Sequence, residues 1–382
     1  MDTEREMMMD MPGENVSKVV TIAIPSYNAE RYLDNCLAHF IDSGVMDRLE
    51  ILIVNDGSID STQAMAEEYA RQYPASIFVI SKENGGHGST INAAIPRATG
   101  KYFKVVDVDD WVEPENLASL VDDLEHTDAD LVLNPIYVYH EEMGRKQLYF
   151  KRIFLEFPPM ETHDFSDLTI HTPIMMHEIT YRTAMLHEHP TTIDEHTFYV
   201  DAEYMLYNLA HVETVALGDK PVYVYRFGSP TQSISHSNLM RNVEQHRKVA
   251  ISCMTYWNQN LSSFDPAHEK CFHAQLSRMV SDQYHIYLNF RPSAKLRRVM
   301  REWRADSERL MTAHGKPALG PLITLMLMAN FRGLTLFCLA NQVRLWFLQV
   351  YMTFLMNLKP ANEGLLANVF SQETPRTPRT EK

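Results

Sequence analysis

Cysteine is scarce in this sequence, basic charge is in deficit, and no apolar run is both long and uninterrupted. Only Cys36, Cys253, Cys271 and Cys338 occur in 382 residues, without metal-ligand spacing. That argues against a disulfide framework and for a reducing, cytoplasmic compartment. Lysine and arginine total 35 against 49 aspartates and glutamates, a formal net charge of −14. General nucleic-acid binding rests on neutralising phosphates, so no nucleic-acid partner is expected. The opening MDTEREMMMDMPGENVSK lacks the apolar core of a secretion signal, and none is expected.

Residues 321–359 are strongly apolar, but Arg332 and Arg344 interrupt them. No clean stretch reaches the roughly 18–20 residues that span a bilayer. Just upstream, RPSAKLRRVMREWR (291–304) is basic. Residues 291–359 therefore suggest a peripheral contact with the inner face of a membrane. A helical hairpin packed as core is the other reading.

What is present is a strict alternation. VVTIAI (19–24), LEILIVND (49–56), SIFVIS (76–81), KYFKVVD (101–107) and ADLVLNP (129–135) read as strands, with helical patterns between them. This is the pattern of an α/β fold with a mostly parallel sheet and helices on both faces. Such sheets bind ligands outside the carboxyl ends of their strands. Polar residues gather there: Ser26, Tyr27 and Asn28, then Asn55 and Asp56, then Asp107 and Asp109. The organisation read from composition is a polar leader at 1–17, an α/β domain at 18–235 and a helical region at 236–315. Apolar or amphipathic helices follow at 316–359, then a polar, disordered tail at 360–382.

KYFKVVDVDDWVEP (101–114) carries the chemistry. If the strand continues, alternation turns Asp107 and Asp109 to one face. Paired carboxylates at a strand end suit Mg²⁺ or Mn²⁺, which completes its shell with substrate phosphates. An acidic helix N-terminus ahead of PENLASL accounts for some of the same pattern.

IPSYNAERYL (24–33), IVNDGSIDST (53–62), NGG and GKYFKVVDVDD, in this order, resemble a family 2 glycosyltransferase of the non-processive, bacterial surface-polysaccharide type. The resemblance implies the GT-A fold over residues 18–235. It also implies a nucleoside diphosphate sugar as donor, most readily UDP-linked. Transfer would be metal-dependent and inverting, to a glycan or lipid-linked acceptor. It places Pro25, Tyr27, Glu30, Asp56, Gly86, His87, Asp107 and Arg226 at the donor. Asp109 and Asp107 become metal ligands for Mn²⁺ or Mg²⁺, with Asp110 behind them. Asp201 becomes the base that takes the acceptor's proton, with Glu203 as second candidate. His171, His177, His189 and His196 flank the expected acceptor cleft; the resemblance implies that a histidine can complete the metal shell, and the sequence does not choose among the four.

Two positions depart from the family pattern: Ile91 stands where an arginine is common, and Val200 where a glutamate is common. They keep open a non-catalytic nucleotide-sugar-binding or scaffold protein. A sugar nucleotidyltransferase is the other alternative, though the chain has PSYNAE where a Gly-rich basic loop is normal. QVRLW (342–346) is not the Q-x-x-R-W of processive synthases, so single additions are expected.

Overall fold

The computed structural model describes residues 17–357 apart from 171, 230, 231, 234 and 312–314. Most of the leader and the tail from 358 lie outside the described residues, as does His171. In chain order the strands are β1 (Val20–Ser26), β2 (Leu49–Asp56), β3 (Ile77–Lys82), β4 (Tyr102–Val105), β5 (Trp111–Val112) and β6 (Leu131–Leu133). They continue with β7 (Ile136–His140), β8 (Arg145–Tyr149), β9 (Thr162–Asp164), β10 (Ile179–Arg182), β11 (Thr214–Leu217) and β12 (Tyr223–Phe227). The first helices are α1 (Leu33–Asp42), α2 (Thr62–Gln72), α3 (His87–Ala94), α4 (Pro114–His126), α5 (Thr183–Glu188) and α6 (Asp201–Leu209). A helical region follows with α7 (His236–Arg241), α8 (Val243–Asn260), α9 (Pro266–Tyr287), α10 (Ala294–Met311), α11 (Pro321–Met328) and α12 (Leu334–Asn357).

Eight strands form one sheet in the order β3-β2-β1-β4-β10-β6-β11-β9, and β5-β12-β7-β8 form a second. β1 to β4 pair in parallel, as their crossover helices require. The antiparallel β10 then enters between β4 and β6. The sequence reading sets 129–135 directly after the fourth strand and does not foresee this insertion. β10 is only four residues long and lies in an irregular stretch, so its alternation is too short to stand out.

Two apolar cores lie on the two faces of the large sheet. Ile22 and Ile24 of β1 face one, with Leu33, Cys36, Leu37 and Phe40 of α1 and Leu117, Leu120, Val121 and Leu124 of α4. The i, i+3, i+4, i+7 spacing of these residues is what puts them on single helix faces. Ala23, Phe103 and Val105 face the other core, which runs through α3 and α6 into Trp257 of α8, Phe272 of α9 and Trp303 of α10. The helical region thus shares its core with the sheet. All four cysteines are buried and free.

Candidate functional site

The carboxyl ends of β1, β2 and β4 lie side by side, at the point where the antiparallel β10 replaces a parallel neighbour and where open α/β sheets place their ligand crevice. Its first wall is laced from two loops. Asn28, at φ 49°, takes the N–H of Ile59 at 2.9 Å, and Glu30 takes that of Ser61 at 3.0 Å. Glu30 is therefore a loop tie. Pro25 is buried inside β1, whereas the Tyr27 ring is 53% exposed at the mouth.

Asp56 is 2% exposed and binds the Gly-rich turn from below. It accepts from Lys82 Nζ at 2.8 Å, Gly85 N at 2.9 Å and Gly86 N at 2.7 Å. Burial opposes its charge, but these partners outweigh it and hold the carboxyl below the ordinary range. Gly86, expected at the donor, spends its N–H on Asp56. Its φ of +84° and the His196 backbone 3.3 Å from where a Cβ would sit demand glycine. At Gly88 a Cβ would lie 2.3 Å from the Asp194 carbonyl, so residues 193–197 can rest on this turn only because the side chain is absent. Asn92 fixes the same loop, donating to the Ile193 carbonyl at 2.9 Å and accepting from its N–H at 3.0 Å. Asp56→Ala is expected to cost about 3 kcal/mol, by stranding a lysine and two N–H groups, and to lower the urea midpoint accordingly.

The acidic segment differs from the extended reading. β4 stops at Val105, and Asp110 N donates to the Asp107 carbonyl at 2.9 Å, closing a turn. Alternation no longer applies. The oxygens that converge belong to Asp107 and Asp110, and with a ring nitrogen of His177 they lie within 4.8 Å of one another. This is the metal-capable group found among the described residues, and Asp109 stands outside it. Asp110 is held by Tyr223 Oη at 2.6 Å and Arg226 N at 2.7 Å. Tyr223 Oη also accepts from Asp107 N at 3.1 Å, so one phenol sets both ends of the turn. Arg226 does not reach into the crevice as expected. Its Nε donates to the Asp109 carbonyl at 2.7 Å, with the guanidinium over the rings of Tyr32 and Trp111.

The electrostatics are those of crowded anions. Burial and then Asp107 push Asp109 up to about 6. Burial, Asp109 and Asp107 push Asp110 well above the carboxylate range. Asp107 moves the other way: burial is outweighed by His87, whose Nε2 lies 2.8 Å from its oxygen. His87 is itself raised, with Asp107 overcoming its burial. Burial lowers His177 to about 4, so its ring is neutral near pH 7, and its buried Nδ1 has no hydrogen-bond partner. A neutral imidazole lone pair facing two carboxylates fits a divalent cation of the Mn²⁺ or Mg²⁺ type.

Asp201 opens α6 at the crevice rim and is exposed. Surrounding protein raises its carboxyl, with His87 opposing and Asp107 adding, which sets it electrostatically within the same cluster. Glu203 is different. It is fully buried, accepts from Asp194 N at 2.8 Å and leaves its other oxygen unpartnered. It braces the 193–197 loop and offers nothing to an acceptor. Burial pushes it from 4.5 up to about 7. A raised carboxyl adds stability that is complete below about 4.5 and is lost as pH rises through about 7. Glu203→Gln should therefore lose less stability than the parent between pH 5 and pH 8, read from denaturant midpoints.

Comparison with known proteins now decides the family. A model of glycosyl transferase family 2 matches residues 21–189, which contain the crevice loops, the acidic turn and His177. Residues 21–189 belong to glycosyltransferase family 2. The putative glycosyltransferase EpsH of Bacillus subtilis is 28% identical over 221 residues, covering 54% of this chain and 60% of EpsH. Chondroitin synthase of Escherichia coli is 32% identical over 128 residues, 34% of this chain and 18% of that protein. The chain thus spans less than two thirds of the length of these relatives. Among solved structures, Staphylococcus aureus TarS 1–349 superposes with a TM-score of 0.54 at 18% identity, covering 77% of this chain and 82% of that one. Another structure of that fragment holds UDP-GlcNAc. At this identity the likeness speaks for fold alone, and the glycosyltransferase domain has the GT-A architecture with a helical C-terminal region.

Among site residues, Asp110 and His177 were underrated by sequence, and Tyr223 was not singled out. A turn between two aspartates three apart, and a histidine just ahead of an apolar ITY, are signals visible only in retrospect.

Proposed function

We propose that this chain transfers a sugar from a nucleoside diphosphate donor, UDP-linked, to a hydroxyl of a glycan or lipid-linked glycan, with inversion at the anomeric carbon. The observation that carries the reading is the convergence of Asp107, Asp110 and His177 in the crevice of a family 2 domain, with Asp201 exposed beside them. The resemblance to proteins named as glycosyltransferases and to a UDP-GlcNAc complex supports the donor class.

Asp107, Asp110 and His177 would hold the divalent ion, with Asp109 near enough to feel Asp107. Bound there, Mn²⁺ or Mg²⁺ offsets the charge of the departing nucleoside diphosphate. The exposed Tyr27 ring offers a flat face to the base. His87, whose pKa Asp107 raises, sits at the start of α3, where a phosphate is favoured. Asp201 takes the proton of the acceptor hydroxyl as its oxygen attacks the anomeric carbon, from the side opposite the leaving diphosphate. Arg226, Gly86 and Glu30 hold these groups in place through their contacts with Asp109, Asp56 and Ser61.

The acceptor side of the proposal includes a membrane surface. No helix among the described residues is long and apolar enough to cross one. Yet α11 and α12 leave Leu325, Met328, Leu336, Leu339 and Val343 exposed, with Arg332 exposed between the two helices. An apolar stripe with a cation at its edge suits the headgroup region of anionic lipid. Leu336→Asp with Leu339→Asp should release the protein from vesicles containing phosphatidylglycerol in a flotation assay.

Transfer itself is tested with UDP-sugars and Mn²⁺, measuring UDP release with and without a glycolipid acceptor and the product anomer by NMR. UDP release with an inverted linkage is expected. Nucleotide binding without turnover on any donor would favour the non-catalytic reading instead.

A further inference from the structure

Lys104 is out of place by every sequence criterion. It lies in the apolar β4, is completely buried, and has no carboxylate within ion-pair distance among the described residues. Burying an ammonium is costly unless its donors are met. Its Nζ donates instead to two backbone carbonyls, those of His177 and Ile179, at 3.0 Å each.

The sheet explains why those carbonyls are available. β10 pairs with β4 only at Tyr181–Phe103 and Arg182–Tyr102. Toward its start, β10 stays with β6, and the Glu178 carbonyl accepts from Asn134 N at 3.0 Å on that side. Alternation then points the carbonyls of residues 177 and 179 toward β4, past the end of the ladder. The strands have parted there, immediately before the acidic turn. Lys104 spans the gap, doing with one side chain what the missing ladder bonds would do. On the far side, Glu178 takes the N–H of Met175 at 2.7 Å and pairs with the buried Lys151, which fixes the backbone on either side of His177. The Lys104 ammonium also lies 5.6 Å from the ring centroid of Tyr223, the phenol that holds Asp107 and Asp110.

We propose that Lys104 is a positioning residue: by bridging the gap between β4 and β10 it holds the His177 ring over Asp107 and Asp110, so that the three form a metal site. The proposal rests on the metal reading given above. Partners that orient a ligand from behind change metal affinity by about 10–100-fold when removed. Removing Lys104 also leaves two buried carbonyls without a donor, at a cost in stability, so metal affinity is compared only at temperatures where each variant is folded.

The test is titration of the full chain with MnCl₂ alone, followed by the EPR signal of free Mn²⁺, for the parent, Lys104→Met, His177→Ala and the double variant. Thermal melts are run in parallel. Lys104→Met should weaken Mn²⁺ binding about tenfold or more at temperatures well below its melt, where the chain is folded. In the double variant the loss should be no greater than for His177→Ala alone, because Lys104 acts through that ring. Lys104→Gln, which keeps an amide donor for one carbonyl, should fall between and decides the matter if the methionine variant does not fold. Parent-like affinity in Lys104→Met or Lys104→Gln, or losses that add fully with His177→Ala, would overturn the positioning role while leaving the metal reading intact. A parent protein that binds no Mn²⁺ would overturn both.

Discussion

Replacing Asp201 with asparagine is expected to lower kcat for sugar transfer by about 10²–10⁴-fold, the range lost with a positioned general base. UDP affinity in the presence of Mn²⁺ should stay within about twofold of the parent. The split follows from position. Asp201 stands at the rim, at the first residue of α6, exposed where an acceptor hydroxyl can reach it. It makes no hydrogen bond to the acidic turn that the substitution would break. Asparagine keeps the shape and removes the proton acceptor. Glu203→Gln supplies the contrast, since that carboxyl is buried against the Asp194 N–H. Its variant should keep most of the kcat and change only the pH dependence of stability. Loss of UDP binding in Asp201→Asn would show that the residue serves the donor and not the proton.

The second large effect is expected at Asp107. Asp107→Ala removes one of the three converging ligands and also the partner that raises the His87 pKa. The metal site and the His87 contact are thus disturbed together. Mn²⁺-dependent UDP binding should weaken by about 10³-fold or more, because a catalytic metal supplies several kcal/mol of charge stabilisation. His87→Gln should lose less, since it leaves the metal ligands in place. Tyr223→Phe is the subtler variant. It deletes the hydroxyl that donates to Asp110 at 2.6 Å and accepts from Asp107 N at 3.1 Å, while leaving all three ligand side chains present. A loss of metal affinity there, smaller than in Asp107→Ala, would mark the turn's shape as part of the site.

These expectations depend on geometry the sequence shows only in part. The alternation from β1 to β4 is legible because each strand is a β-branched run closed by polar residues, and each helix shows a single apolar face. The same pattern points to the crevice. What fails is local detail at the strand end. An extended D-x-D needs β4 to continue through Asp109, whereas the chain turns at Asp107 and brings Asp110 inward. Turn and strand compete within four residues there, and Tyr223 from β12 helps to decide the outcome, over a hundred residues away in sequence. His177 could not be chosen among the histidines for a related reason. Its place is set by β10, which is recognisable only once it is paired with β4 and β6. Arg226 and Gly86 erred the other way: residue types that suit a diphosphate are here spent on Asp109, Asp110 and Asp56.

Lys104 illustrates what a strand's apolar pattern conceals. In KYFKVVD, read only as a strand, the lysine at the fourth position is wholly enclosed and bound to two carbonyls. Only the parting of two strands explains it.

The most direct test of the central claim, a metal-dependent nucleotide site at the crevice of β1, β2, β4 and β10, is calorimetric titration of UDP. It is run with Mn²⁺ and with EDTA, on the parent and on His177→Ala. The account predicts binding with Mn²⁺, loss of that binding in EDTA, and weaker binding with Mn²⁺ in the variant. UDP binding of equal strength in EDTA, or no binding with Mn²⁺ present, would contradict it.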